Sequence, residues 1–459
     1  DIVLTDNGRF LISQRGKTMQ VGIWTEKGMH LNTIGIKGGR PNLGRYKPEG
    51  LLNPKGLSVD NVGGVWVAED DSSPKRVSLW DMKTGKLLNE FFGGTAFAAR
   101  MTCEPDNPEN VYLHYTRFIV DYETGKVIPD AVMIRPGVIP RTLNGPKGWG
   151  LMGQNFEFVK IGNGTYAYDG FGGVYKVEKD RLKAFAYFAE SMPNWGMLTG
   201  QAVFWVDRNA DGQINTTEIR EVKGFKPDLV CTFGGGFFKG GAFVLGRKTI
   251  ISKGVDNMGL PIYEGTESYP DYAFLGNGSE IKIFSNRVDT YPSVMSDYKE
   301  LYTITSLPAS DGSRDGGGKE GVYKFNQSGK ILWRYPKLGL GFGLTKGLSK
   351  PGDLFGAQRF IGLIQFSESS LGEVIGVGCS RGYFGFLDHE GLFIDQIGHD
   401  LGSAPKADFD VFQITNFGGY VFRHPKTGKV YLFCGDTDGR ILELQGWESI
   451  QKIESEFKW

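Results

Sequence analysis

This sequence has no excess of charge of either sign: 52 lysines and arginines face 52 aspartates and glutamates. Without a basic surplus there is nothing to displace the counterions of a nucleic-acid backbone, so general nucleic-acid binding is set aside. Long apolar runs are missing too, and none approaches the roughly 18 residues of a membrane span. The four cysteines, Cys103, Cys231, Cys379 and Cys434, show no CxxC or CxxCH spacing, which argues against zinc ribbons and attached haem. They stand in or beside apolar strand-like runs, so buried thiols are expected rather than a disulfide pair. Neither a serine nucleophile elbow, an HExxH helix nor a GxxxxGK[ST] loop is read in the chain. Helix-periodic apolar segments are equally hard to find.

What the chain has in quantity is glycine (68 residues) and aromatics (13%). Short Val/Ile/Phe/Tyr/Trp runs recur between Gly, Asn and Asp turns, the pattern of an all-β fold. A loose strand–turn–strand unit repeats. It is seen from Val21 (VGIWTEKGMHLNTIG), from Arg76 (RVSLWDMKTGKLL), from Phe118 (FIVDYETGKVIPD), from Gly321 (GVYKFNQSGKILWRYP) and from Tyr383 (YFGFLDHEGLFIDQIG). One such unit cannot cover its own sheet faces, so neighbours must stack. Units of about four strands set in a ring make a β-propeller. The expectation is therefore one closed propeller over residues 1–459, eight-bladed with seven as the runner-up. Long insertions are expected near 130–155 and 256–321. A pair of β-sandwiches is the competing architecture. Trp66, Trp80, Trp205 and Trp333 are expected to be largely buried.

LLNPKGLSVDNVGGVWVAED, from Leu51, resembles an NHL-type propeller repeat, and GVYKFNQSGKILWRYP is similar to the repeat of quinoprotein-type propellers. The resemblance covers about half the chain and specifies blade construction more than function. It brings in lactonases, lyases and quinone-dependent dehydrogenases as relatives of the class, but none of their catalytic motifs is matched residue by residue.

DRNADGQINTTE, from Asp207, has the spacing of a calcium loop. Oxygen-bearing side chains stand at positions one, three and five (Asp207, Asn209, Asp211), with Gly212 at six. The Gln213 carbonyl fills seven, and Glu218 closes the pattern at twelve. The flanks read as strands, so the loop resembles an EF-hand loop carried on a β-hairpin. An Asx-rich turn that binds no metal is the alternative. Without helices to reorient, calcium here has a structural role and favours an extracytoplasmic setting, whether secreted, periplasmic or at the cell surface. The chain opens on Asp1-Ile-Val-Leu, already strand-like, as a processed mature protein or an excised domain would.

Two segments break the rhythm. One, from Asp130, carries Arg135, Arg141 and Trp149; the other runs from about Asp256 to Gly321 and is rich in Tyr, Asp and Gly. Long loops on a rigid frame are where ligands bind, and aromatic faces beside arginine suit sugars and carboxylates. A plug, or a contact to a neighbouring domain, is the bland alternative. His114 is the histidine that could act as a base, with Tyr112 or Tyr115 as acid. His30 and His389 should be solvated. Glu69-Asp70-Asp71 either lines a channel mouth or forms a solvated loop. The leading expectation is a secreted, calcium-stabilised module that binds glycan or protein, alone or within a larger multidomain protein. A propeller lyase or lactonase acting on an acidic saccharide is the alternative, and a quinone-dependent dehydrogenase the second.

Overall fold

The computed structural model describes residues 1–71, 74–93, 101–134, 156–161, 163–168, 173–189, 203–211, 215–221, 243–245, 248–250, 291–294, 300–307, 319–326, 330–336, 360–379, 384–397, 419–435 and 439–451. Among the described residues the fold is all-β: antiparallel sheets, two short 3-10 turns and no α-helix. No helix among them is long and apolar enough to cross a membrane.

The chain separates into two compact units, one drawn from residues 1–96, 109–139 and 178–182 and the other from the rest. In the first unit, strands Ile2–Leu4, Arg9–Gln14, Gln20–Thr25 and His30–Ile34 pair in chain order as one meander. Strands Pro54–Val59, Gly64–Glu69, Lys75–Asp81 and Leu87–Gly93 form the next. Thr116–Asp121 and Lys126–Val132 pair as a hairpin, which the short strand Gly44–Arg45 extends at its edge. Period-two alternation explains the packing. Along Lys75–Asp81, Arg76, Ser78 and Trp80 turn inward. Trp80 then joins Leu11, Val21, Ile23, Leu51, Val65 and Val67 in a core between the first two meanders.

In the second unit, Glu157–Ile161, Gly164–Tyr168, Gly173–Val177, Leu182–Ala189, Val203–Val206 and Ile219–Glu221 form a six-stranded sheet in chain order. Four-stranded meanders run from Tyr291–Val294 to Ile331–Pro336 and from Phe360–Ser369 to Phe393–Ile397. Tyr420–Arg423, Val430–Gly435 and Gly439–Leu444 form the last sheet. The last two sheets share a core in which Phe366 and Phe386 pack edge-on to Trp447.

The recurring turn has one chemistry. Asp81 Oδ1 accepts from the Thr84 N–H and hydroxyl at 2.6 and 2.8 Å. Asp121 accepts from Glu123, Thr124 and the Thr124 hydroxyl, and Asp388 accepts from Glu390 and Leu392. These bonds hold the Asp81 and Asp121 carboxyls below the ordinary range, chiefly through the Thr84 N–H and the Thr124 hydroxyl respectively. A glycine in the left-handed region then completes each turn, Gly85 at φ 68° and Gly125 at φ 71°. Alanine at either position costs about 1–2 kcal/mol of backbone strain. A Cβ on Gly85 would stand 2.7 Å from the Thr33 carbonyl oxygen, whereas Gly125 has open space. Gly85→Ala should therefore destabilise more than Gly125→Ala in urea unfolding; equal midpoints would contradict this reading of the turn.

Trp80 and Trp205 are fully buried, and Trp66 and Trp333 are buried over most of their surface, in line with expectation. Trp66 stacks on the exposed Phe91 and donates to Asp60, and Trp333 donates to the His389 carbonyl. Both are held by a polar anchor at one end, which leaves part of the ring in water. The expected insertions need correction. Within the 256–321 segment, Tyr291–Val294 and Glu300–Leu307 are paired strands and not loop. Asp130 likewise lies in strand Lys126–Val132. Cys103 and Cys434 are buried thiols; Cys231 and the side chain of Cys379 lie outside the described residues.

Candidate metal centre

The 207–218 loop joins the fifth and sixth strands of the six-stranded sheet, so it hangs on an extra hairpin beyond a four-strand meander. Strand Val203–Val206 pairs on one side with Leu182–Ala189 and on the other with Ile219–Glu221. The ladder runs into the loop, with the Asp207 N–H donating to the Phe185 carbonyl at 2.8 Å. Valine, phenylalanine and tryptophan favour the extended backbone on the way in, and the Asx residues then turn the chain. Asp211 N–H donates to Asn209 Oδ1 at 2.9 Å, and Ala210 takes a positive φ of 59°.

Glu218 stands at position twelve of the loop. Its carboxylate is buried and reaches back across the hairpin. Oε1 accepts from the backbone N–H groups of Arg208 (3.0 Å) and Asn209 (3.3 Å), while Oε2 accepts from Trp205 Nε1 (3.1 Å) and Asn215 Nδ2 (2.8 Å). These four donors take up the acceptor sites of a carboxylate. Asp207 is 3% exposed, and its Oδ2 lies 3.7 Å from Lys183 Nζ. Asn209 and Asp211 are exposed and bonded to each other through Asn209 Nδ2 and Asp211 Oδ2 at 3.0 Å. Gln213 and the turning Gly212 lie outside the described residues. Among the described residues no group of three His, Cys, Asp or Glu side chains is gathered closely enough to hold a metal. The donor chemistry fits a hard cation; in this conformation Glu218 is engaged by N–H donors, and an ion would require the loop oxygens to re-aim.

The remaining candidates are scattered. Arg135, Arg141 and Trp149 lie outside the described residues. His114 is 2% exposed, takes φ 58° at the turn between strands Asn107–Leu113 and Thr116–Asp121, and packs on Tyr115 with ring centroids 3.8 Å apart. A positive φ at the first position of a two-residue turn is the place glycine normally fills. His30 and His389 are exposed, as expected. Glu69-Asp70-Asp71 divides in two. Asp70 is half-exposed and pairs with Arg15 (3.3 Å) and Lys55 (3.2 Å). Asp70 and Asp71 line a cleft of about 570 Å³ with Lys75, Arg76 and Val77.

Glu69, by contrast, turns inward to a fully buried ion network that the sequence does not announce. Its Oε2 pairs with Arg40 at 2.7 Å and its Oε1 with Arg76 at 3.1 Å, all three side chains 0% exposed. Arg76 also meets Glu90 at 3.0 Å, and Glu90 accepts from the Tyr46 hydroxyl at 2.8 Å. Both guanidiniums lie over the Tyr46 ring. Burial pushes the Tyr46 hydroxyl pKa far up, against the pull of Arg76, so it remains a neutral donor.

One spacing escapes the sequence reading: Gly378-Cys379-Ser380-Arg381-Gly382 matches G-x-S-x-G. The motif needs a strained strand-to-helix turn to expose its serine. Here strand Gly372–Cys379 is followed by its antiparallel partner Phe384–Asp388, so that context is not met. Ser380 itself lies outside the described residues.

No family model and no curated protein matches the chain. Similar solved structures include a functionally unknown protein from Desulfotomaculum acetoxidans, at 13% identity over 86% of this chain and 95% of that one, with a TM-score of 0.28. BamB from Moraxella catarrhalis matches at 11% identity over 97% and 96%, with a TM-score of 0.26. The computationally designed protein Ika8 matches at 11% over 96% and 95%, with a TM-score of 0.25. Likenesses this low carry no argument for this chain.

Proposed function

We propose that this chain is a calcium-stabilised, extracytoplasmic β-propeller module that binds a glycan or protein through long loops at one mouth. The carrying observation is the 207–218 hairpin, a loop of calcium spacing whose position-twelve carboxylate is buried and folded back across it. Asp207, Asn209, Asp211, the Gln213 carbonyl and Glu218 would hold one ion, supplying the all-oxygen shell that calcium takes. The ion's contribution is structural: it ties the hairpin ends together. The propeller reading draws support from the four-stranded meanders that follow one another in chain order among the described residues and from the NHL-like and quinoprotein-like repeats; the count of eight blades rests on chain length alone.

The ligand reading draws on the loops around Arg135, Arg141 and Trp149. A guanidinium that binds a carboxylate or sulfate contributes about 1.5–3 kcal/mol. Arg135→Ala and Arg141→Ala should each weaken binding to an acidic glycan by that amount, measured by calorimetry on hits from a glycan array. If no acidic glycan is retained, the module serves instead as a scaffold held by a partner domain.

A further inference from the structure

We infer that Lys183 is a built-in counter-cation that holds the 207–218 loop closed without metal and competes with calcium for Asp207. This inference rests on the calcium reading of the loop. Lys183 stands on strand Leu182–Ala189, beside the strand Val203–Val206 that leads into the loop. Its ammonium lies 3.7 Å from Asp207 Oδ2 and donates to the Ala210 carbonyl, so it meets oxygens at positions one and four. The Asp207 side chain is 3% exposed and that of Lys183 28%. A carboxylate so deeply buried requires a positive partner, and the lysine supplies one from an adjacent strand. A divalent ion ligated by Asp207 would face the same ammonium at a separation of a few ångströms, where like charges repel. Calcium entry therefore requires the lysine to swing toward solvent, a path its partial exposure leaves open. The latch sets calcium affinity and keeps the hairpin ordered when calcium is scarce.

The test uses the full chain. Terbium luminescence sensitised through Trp205, whose indole donates to Glu218 at 3.1 Å, reports the loop, and competition with calcium gives the calcium affinity. Trp205→Phe assigns the signal. Lys183→Met and Lys183→Gln should bind calcium about tenfold or more tightly than wild type, because the repulsion is gone. Their melting temperatures should fall below wild type in EDTA and reach or exceed it in saturating calcium. Unchanged calcium affinity with lower stability in both media would make Lys183 an ordinary structural contact, overturning the inference while leaving the calcium reading intact. Absence of terbium or calcium binding in wild type and both variants would overturn both. Binding by the variants alone would support the inference in its strongest form.

Discussion

Glu69→Ala is expected to destabilise the protein by about 3–5 kcal/mol, the range for breaking a buried ion pair by removing one partner. Glu69 is the shared acceptor of Arg40 and Arg76, whose side chains are 0% exposed. Backbone carbonyls of Pro74, Gly50 and Pro48 accept from the same guanidiniums but bring no negative charge. Removing the carboxylate takes the shared anionic partner from two buried guanidiniums, of which Arg76 keeps Glu90. Burial raises the Glu69 carboxyl pKa against the opposing pull of the two arginines, so desolvation outweighs pairing. For the same reason the triple substitution Arg40→Met, Glu69→Leu, Arg76→Met should be less damaging than Glu69→Ala alone. Urea unfolding of the two proteins decides this. A single variant within about 1 kcal/mol of wild type would show that the network is no more than a surface-like pairing.

Glu218→Ala should have an effect of similar size, about 3–4 kcal/mol, because it leaves the buried Trp205 N–H unpaired, at roughly 1–3 kcal/mol, and also removes the acceptor of three part-buried N–H groups. The most exacting of these is Trp205, which is 0% exposed and donates to Glu218 Oε2. Glu218→Gln should recover only part of the loss, since its amide oxygen can still accept from one pair of donors while its NH₂ faces the other pair. Trp205 emission provides the local readout: a red shift at denaturant concentrations where the rest of the protein remains folded marks local opening of the hairpin. If Glu218→Gln proved fully stable, the four-donor description of the carboxylate would be wrong.

The hairpins were legible because their chemistry is local. Asp81, Thr84 and Gly85 lie within one turn, so their order in the sequence states the geometry outright, and the same holds for Asp121, Thr124 and Gly125. Glu218 stood out in the sequence only as a candidate ligand at position twelve of a calcium spacing. Its actual partners were not legible, since the Trp205 indole and the Arg208 and Asn209 N–H groups are set by the hairpin's register. Lys183 and the Arg40–Glu69–Arg76 network were invisible for a related reason. Each contact joins segments far apart in sequence, and a basic residue in a strand looks the same whether it faces water or a buried carboxylate. Trp66 and Trp333 were legible as mostly buried strand aromatics, but the Asp60 carboxylate and His389 carbonyl that anchor their indole N–H groups were not. Tyr291–Val294 and Glu300–Leu307 were hidden among Pro, Ser and Asp, where turn signals outweigh the short paired runs.

The central claim is that one calcium ion stabilises the folded chain through the loop that begins at Asp207. Its most direct test is calorimetric titration of calcium into EDTA-treated, dialysed wild type and Asp207→Ala, with thermal melts of both at each end of the titration. Wild type should take up one ion per chain and melt higher with calcium, gaining about 2.7 kcal/mol at a free concentration one hundred times the Kd; Asp207→Ala should show neither. A wild type that releases no binding heat and melts at the same temperature in EDTA and in millimolar calcium would contradict the account.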